Sequence, residues 1–208
     1  MNDNQKIVFD SYLNTNKHLI LSGCAGTGKT FLALYLALKD ILTGRNQFDS
    51  IIITRSLVQT RDIGFLPGTV GEKLASYEEP YQHICNFLLE RDDGYSILKQ
   101  KGLIKFVTTS FLRGITWENS LIIVDEMQNC SFHELDTLIT RIGQNTRLIL
   151  SGDVEQTDLN KIDAEPFFRI IDSMDEYFIN VNFGIDDIVR SGLVKEYLKR
   201  KWLRGTLK

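Results

Sequence analysis

The sequence predicts an α/β fold in three layers, with helices on both sides of a mostly parallel sheet. Its strand-length segments are apolar throughout, as in residues 50–54 (SIIIT) and 121–124 (LIIV), which marks strands buried on both faces. Between these segments lie helix-patterned stretches, the alternation that builds a parallel sheet. The chain of 208 residues, 43% apolar and 25% charged, is long enough to enclose a core and fits one domain over residues 1–208. That balance excludes a disordered tail, a fibre and a disulfide-stapled mini-protein.

Taken in order, an amphipathic N-terminal stretch containing Gln5 precedes the first strand, residues 18–22 (HLILS). Residues 31–43 (FLALYLALKDILT) are apolar nearly all round, a buried helix stopped by Gly44. Further strands are expected at 104–109 (IKFVTT) and 147–150 (RLIL), with a more alternating one at 177–183 (YFINVNF) that suits an edge. Ser131 with Glu134 forms a capping box that opens a helix carrying Phe132, Leu135, Leu138, Ile139 and Ile142 on one face. Residues 61–102 read least like strand and are expected to form a helical insertion on one rim, and 186–204 a basic C-terminal helix.

No segment reads as a membrane span or a secretory leader, and Cys24, Cys85 and Cys130 are odd in number and far apart, which fits reduced thiols in a cytoplasmic setting. The net charge of −3 hides an asymmetry. Ten acids between Asp153 and Asp187 face only Lys161 and Arg169, whereas from Arg190 onward seven basic residues face Glu196 alone. Such a basic helix can touch phosphates, or can simply be a solvated helix end favoured by its dipole.

Gly23-Cys24-Ala25-Gly26-Thr27-Gly28-Lys29-Thr30 is a complete G-x-x-x-x-G-K-[ST] loop between an expected strand and an expected helix. Its glycines let backbone N–H groups turn inward around an anion at the positive end of a helix. Lys29 then reaches β- and γ-phosphates, and the Thr30 hydroxyl serves as a ligand for Mg²⁺. The strand at 121–124 ends in Asp125-Glu126, one acid suited to the metal's hydration shell and the next to polarising a water. A third strand ends in Ser151-Gly152-Asp153, with Gln156 three residues past the aspartate and suited to sensing the γ-phosphate; Gln128 could couple that sensor to the metal side.

Together these segments resemble the nucleotide-binding half of superfamily 1 helicases, in the words GCAGTGKT, VDEMQN and SGDVEQTD. Further stretches are similar to the PhoH family of ATPases: Ile63-Gly64-Phe65-Leu66-Pro67-Gly68, Phe111-Leu112-Arg113-Gly114, Thr140-Arg141-Ile142-Gly143 and Asp187-Ile188-Val189-Arg190-Ser191. The chain departs from that pattern at Ser56 and Cys24, where the family usually has proline. The resemblance implies a P-loop NTPase fold of RecA-like type, ATP and Mg²⁺ as cofactors, and a compact form often encoded by phages. It also implies that Gln5 reads the adenine edge.

An arginine against the transferring phosphate is worth roughly 10³–10⁵ in rate in such ATPases. Helicases of the resembled superfamily take it from a second domain, which 208 residues are not expected to hold. Slow hydrolysis in the monomer is therefore expected, or an arginine supplied by a neighbour in a ring. Arg190 is the first candidate and Arg141 the second, with Arg55, Arg61 and Arg113 in the same family-like stretches. The expected function is Mg²⁺-dependent ATP hydrolysis by a hexameric ring acting on RNA or single-stranded nucleic acid, away from membranes. The alternative is a regulatory switch ATPase whose target is a protein.

Overall fold

The structure, a computed structural model, describes residues 1–45, 48–56, 70–109, 114, 116–153 and 164–203. Six strands form one sheet: β1 (His18–Gly23), β2 (Ser50–Arg55), β3 (Ile104–Thr108), β4 (Ser120–Asp125), β5 (Arg147–Ser151) and β6 (Phe178–Phe183). Their spatial order is β3-β2-β4-β5-β1-β6, and every neighbouring pair is parallel. The expected edge strand is indeed at an edge, where its burial alternates while β4 and β5 are buried along their length.

Helices cover both faces, as the apolar strands require. Helices α1 (Asp3–Asn14), α2 (Lys29–Thr43), α3 (Val70–Leu88) and α4 (Gly94–Gln100) pack on one side, with Leu19, Leu21, Ile51, Ile53, Ile123 and Ile149 beneath them. On the other side α5 (Phe132–Ile139) and α6 (Glu165–Asp172) meet Ile20, Ile52, Ile122, Val124, Leu148 and Leu150. This odd–even division is the two-residue period of a strand buried on both faces. The last helix, α7 (Gly192–Leu203), follows a short 3₁₀ turn at Ile185–Asp187.

Three expectations need correction. The stretch 61–102 is not a rim appendage where it is described: α3 and α4 are the crossover from β2 to β3, and Tyr81, Cys85, Tyr95 and Leu98 enter the core. Sequence pattern missed this because the segment's apolar residues are interspersed with polar and charged ones, Glu78 among them although it is buried. The helix opened by the Ser131–Glu134 box, which the structure confirms, stops at Ile139 rather than running to Ile142. There the Thr140 hydroxyl turns back onto the carbonyls of Asp136 and Thr137, and the Gly143 N–H bonds Trp117. The C-terminal helix begins at Gly192, not at 186, because Val189 N–H is drawn off the helical path to the Gly26 carbonyl, 3.0 Å away.

At the amino-terminal end of the sheet a buried polar cluster fixes α1. The Tyr12 hydroxyl donates to Asp40, and the Arg147 guanidinium lies 3.9 Å from the Tyr12 ring centroid and bonds the Tyr12 carbonyl. Burial and the adjacent Asp40 carboxylate together hold the Tyr12 phenol protonated. Because α1 is pinned here at its last turn, its first turn is fixed against the opposite end of the sheet, where the glycine loop lies.

Candidate functional site

Parallel sheets place their ligands at the carboxyl ends of their strands, and the sequence-predicted residues gather there. The loop leaves β1 at Gly23 and enters α2 through Gly28, whose φ of 85° is the left-handed geometry that glycine adopts without strain. Thr27 is fully buried, and its hydroxyl braces the loop from inside by donating to the Cys24 carbonyl. Lys29 Nζ donates to the carbonyls of Gly23 and Cys24, both at 2.7 Å. Burial lowers the Lys29 pKa, while Asp153, Glu126 and Asp125 oppose that shift.

The metal side assembles from α2 and β4. Thr30 Oγ1 donates to Asp125 Oδ1 at 2.8 Å, although the two residues are 95 apart in sequence. Asp125 Oδ2 accepts from Tyr81 on α3 at 3.0 Å. Burial and the neighbouring Glu126 carboxylate push Asp125 above the ordinary carboxylate range, against those two hydrogen bonds and the Arg55 cation. Two hard oxygen donors this close, one of them a carboxylate, suit a small divalent cation such as Mg²⁺.

Glu126 sits at φ 52°, a left-handed conformation that is strained for a residue with a side chain and recurs at functional positions. Its carboxylate accepts from Gln128 Nε2. The other end of that amide, Oε1, takes the Asp153 backbone N–H at 2.9 Å. Gln128 thereby bridges the ends of β4 and β5. The crossing needs glycine at 152, where a Cβ would stand 2.3 Å from Gln128 Oε1. The coupling expected of Gln128 reaches as far as Asp153; Gln156 lies outside the described residues, as do Arg61 and Arg113.

Since β5 lies between β1 and β4, Ser151, Gly152 and Asp153 stand between the glycine loop and the paired acids. The Ser151 hydroxyl is buried there without a hydrogen-bond partner among the described residues. One cavity of about 890 Å³ runs through the group, lined by Ala25, Gly26, Gly28, Lys29, Thr30, Asp125, Glu126, Gln128, Gln5 and Arg190, among others.

The two first-ranked arginines part company. Arg190 reaches the loop of its own chain, its Cγ 2.9 Å from where a Gly26 Cβ would be. Arg141 does not join it. Helix α5 starts at the carboxyl ends of the strands and runs away from them, and Arg141 emerges beside Trp117, ahead of β4 and β5. Arg55, at the end of β2, stacks over the Tyr77 ring, 5.3 Å from its centroid. Gln5 does face the cavity, with Nε2 on the Thr27 carbonyl and Oε1 on the Asn2 N–H, which leaves one N–H and one lone pair of the amide to offer. Sequence reasoning missed Tyr81, since a tyrosine on an amphipathic helix carries no motif. Its full burial on the same sheet face as Asp125 became visible only with the fold.

A six-stranded parallel sheet with this loop, the Thr30–Asp125 pair and an intervening strand defines a P-loop NTPase fold. Compared with known proteins, the chain matches the family described as PhoH-like protein over residues 1–200, and it belongs to that family. It is 33% identical to Protein PhoH of Escherichia coli K12 over 188 residues, 88% of this chain and 52% of that protein. A PhoH-like protein of Mycobacterium leprae is 32% identical over 199 residues, 93% of this chain and 55% of that one. The chain thus spans about half the length of these relatives. Among solved structures, the large terminase of a thermophilic bacteriophage shares the fold, with a TM-score of 0.58 and 13% identity over 95% of this chain and 49% of the terminase. Among the described residues, no helix is long and apolar enough to cross a membrane.

Proposed function

We propose that this chain binds ATP with Mg²⁺ at the glycine loop and hydrolyses it. The observation that carries the reading is the Thr30–Asp125 hydrogen bond, which joins the metal-side donors of two distant segments at the mouth of the loop. Bound there, Mg²⁺ would neutralise charge developing on the phosphates. Lys29 would exchange the loop carbonyls for phosphate oxygens, keeping the number of its contacts. Glu126, oriented by Gln128, would take the proton of the attacking water. Arg190 would supply positive charge from within the same chain, and Gln156 and Gln5 would sense the γ-phosphate and the adenine edge. Replacing Glu126→Gln tests the assignment: ATP affinity is expected to stay within twofold while turnover falls at least about 100-fold. Undiminished turnover would sink it.

The same reading extends to a ring, hexameric in the resemblance, acting on RNA or single-stranded nucleic acid in the cytoplasm. Its support is the basic composition of α7, with Lys195, Lys199, Arg200 and Lys201, and the position of Arg141 away from the glycine loop of its own chain. Salt-sensitive stimulation of the ATPase by RNA, measured alongside light scattering, checks both parts. A second reading, a switch ATPase with a protein target, is favoured by the apolar residues α7 exposes: Leu193 at 82%, Tyr197 at 63% and Leu203 at 74%. Stable association without any RNA response would select it.

A further inference from the structure

Helix α7 leaves its apolar residues uncovered. Among its described side chains none is buried, whereas α2 buries eight of its fifteen residues. A helix of about 12 residues is marginal in water unless one face is packed, and α7 has 12. It does carry a face to pack: Leu193 and Val194 are followed four residues on by Tyr197 and Leu198, so the four share one side. Leu193, Val194 and Tyr197 are exposed. Lys195, Lys199, Arg200 and Lys201 are interspersed with them and, against Glu196 alone, give the helix a net charge of +3. The ion pairs that α7 makes, Lys199 with Asp186 at 3.1 Å and Arg200 with Glu196 at 2.7 Å, lie at the surface and do not cover the stripe.

The same chain presents a surface of opposite character. From Glu165 to Tyr177, α6 and the turn after it hold Glu165, Asp172, Asp175 and Glu176 against Arg169, a net charge of −3. Among these acids Ile170 is 53% exposed and Tyr177 55%. The chain's own α7 is rooted elsewhere. Tyr177 precedes the amino end of β6, whereas α7 follows its carboxyl end, where the Val189 N–H is bonded to Gly26. The six residues of β6 set these two points about 20 Å apart. We infer that α7 of one copy docks on the α6 surface of a second copy. Leu193 and Tyr197 pack there against Ile170 and Tyr177, while Lys199 and Arg200 face Asp172, Asp175 and Glu176. Two different patches meet in this contact, so it runs head to tail, the kind that closes into a ring when the rotation between copies allows it. The inference rests on the ring reading above and adds to it where the copies meet.

Charge reversal tests the contact, with assembly read by light scattering over a concentration series. Lys199→Glu with Arg200→Glu reverses the helix, and Asp172→Lys with Glu176→Lys reverses the surface. Each double variant alone is expected to raise the dissociation constant at least about tenfold, because like charges then oppose. Mixed in equal amounts, the two should regain the wild-type mass, since every reversed helix then has a reversed surface to meet. Tyr197→Ala should weaken assembly about tenfold as well, with far-ultraviolet circular dichroism showing the fold intact. Assembly that none of these changes weakens would overturn the docking and leave the ring reading standing, as would a mixture that fails to reassemble. A wild type that stays monomeric at every concentration would overturn both. Loss of RNA binding in the helix-reversed variant, with its mass unchanged, would overturn the docking and give α7 to nucleic acid instead.

Discussion

Tyr81 donates its hydroxyl to Oδ2 of Asp125 at 3.0 Å, while Thr30 donates to Oδ1 of the same carboxylate at 2.8 Å. The acid is thus held from both sides, by the helix that follows the glycine loop and by the crossover helix over the opposite half of the sheet. With both oxygens fixed, the carboxylate plane has little freedom to turn before a cation arrives.

Tyr81→Phe should therefore weaken metal binding more than nucleotide binding. Partners that orient a metal ligand are typically worth 10–100-fold in metal affinity, so an increase of about tenfold in the Mg²⁺ concentration for half-maximal ATPase is expected. Direct titration with Mn²⁺, read by electron paramagnetic resonance, should move in parallel. If the variant only melts earlier, with its metal response unchanged, Tyr81 is a core tyrosine and nothing more.

Gly152→Ala should separate β5 from the paired acids. The added methyl would stand 2.3 Å from Gln128 Oε1 and 3.0 Å from the Met127 nitrogen, so the amide bridge to Asp153 has to give way. The expected outcome is a loss of stability of about 1–3 kcal/mol by urea denaturation, from the freed polar groups, together with slower turnover. Gln128→Ala should reproduce the kinetic loss with a smaller effect on stability.

Arg190 should act on the site of its own chain. Arg190→Ala is expected to lower turnover by roughly 10³, and mixing it with the Glu126→Gln variant should restore nothing, since each site lacks one of its own groups. Recovered activity in the mixture would place the arginine in a neighbouring subunit.

Stability should fall as pH drops below the ordinary imidazole value. His18 Nδ1 accepts the Leu148 N–H at 3.0 Å, and burial, aided by the Arg147 cation, lowers its pKa. The neutral ring is thus favoured in the folded state. Its contribution is complete above the unfolded-state pKa and is lost as pH descends toward the lower folded value. Urea midpoints between pH 7.5 and pH 5 should show a decline in the wild type that is shallower in His18→Gln.

Much of this architecture was legible because its signals are local. Apolar strand runs announce burial on both faces, the glycine loop carries its own spacing, and Ser131 with Glu134 spells out its cap. What stayed hidden depends on the return of the chain to itself. Nothing near residue 81 advertises a partner at 125. The place of Arg190 at the loop follows from β6 lying beside β1, a pairing that no short motif encodes. Arg141 was hidden for the converse reason: its surroundings look motif-like, yet only the direction of α5 shows that it stands away from the loop of its own chain.

The hydrogen bond from Val189 to Gly26 ties the chain leaving β6 to the crown of the glycine loop, and only Arg190 and Ser191 separate that tie from the start of α7. Two residues span about 7 Å when fully stretched, so the helix is on a short leash. Any load that drags the amino end of α7 beyond that reach must either snap the tie or deform the loop. Traction on the outermost helix and the shape of the phosphate seat are, in this molecule, mechanically one variable.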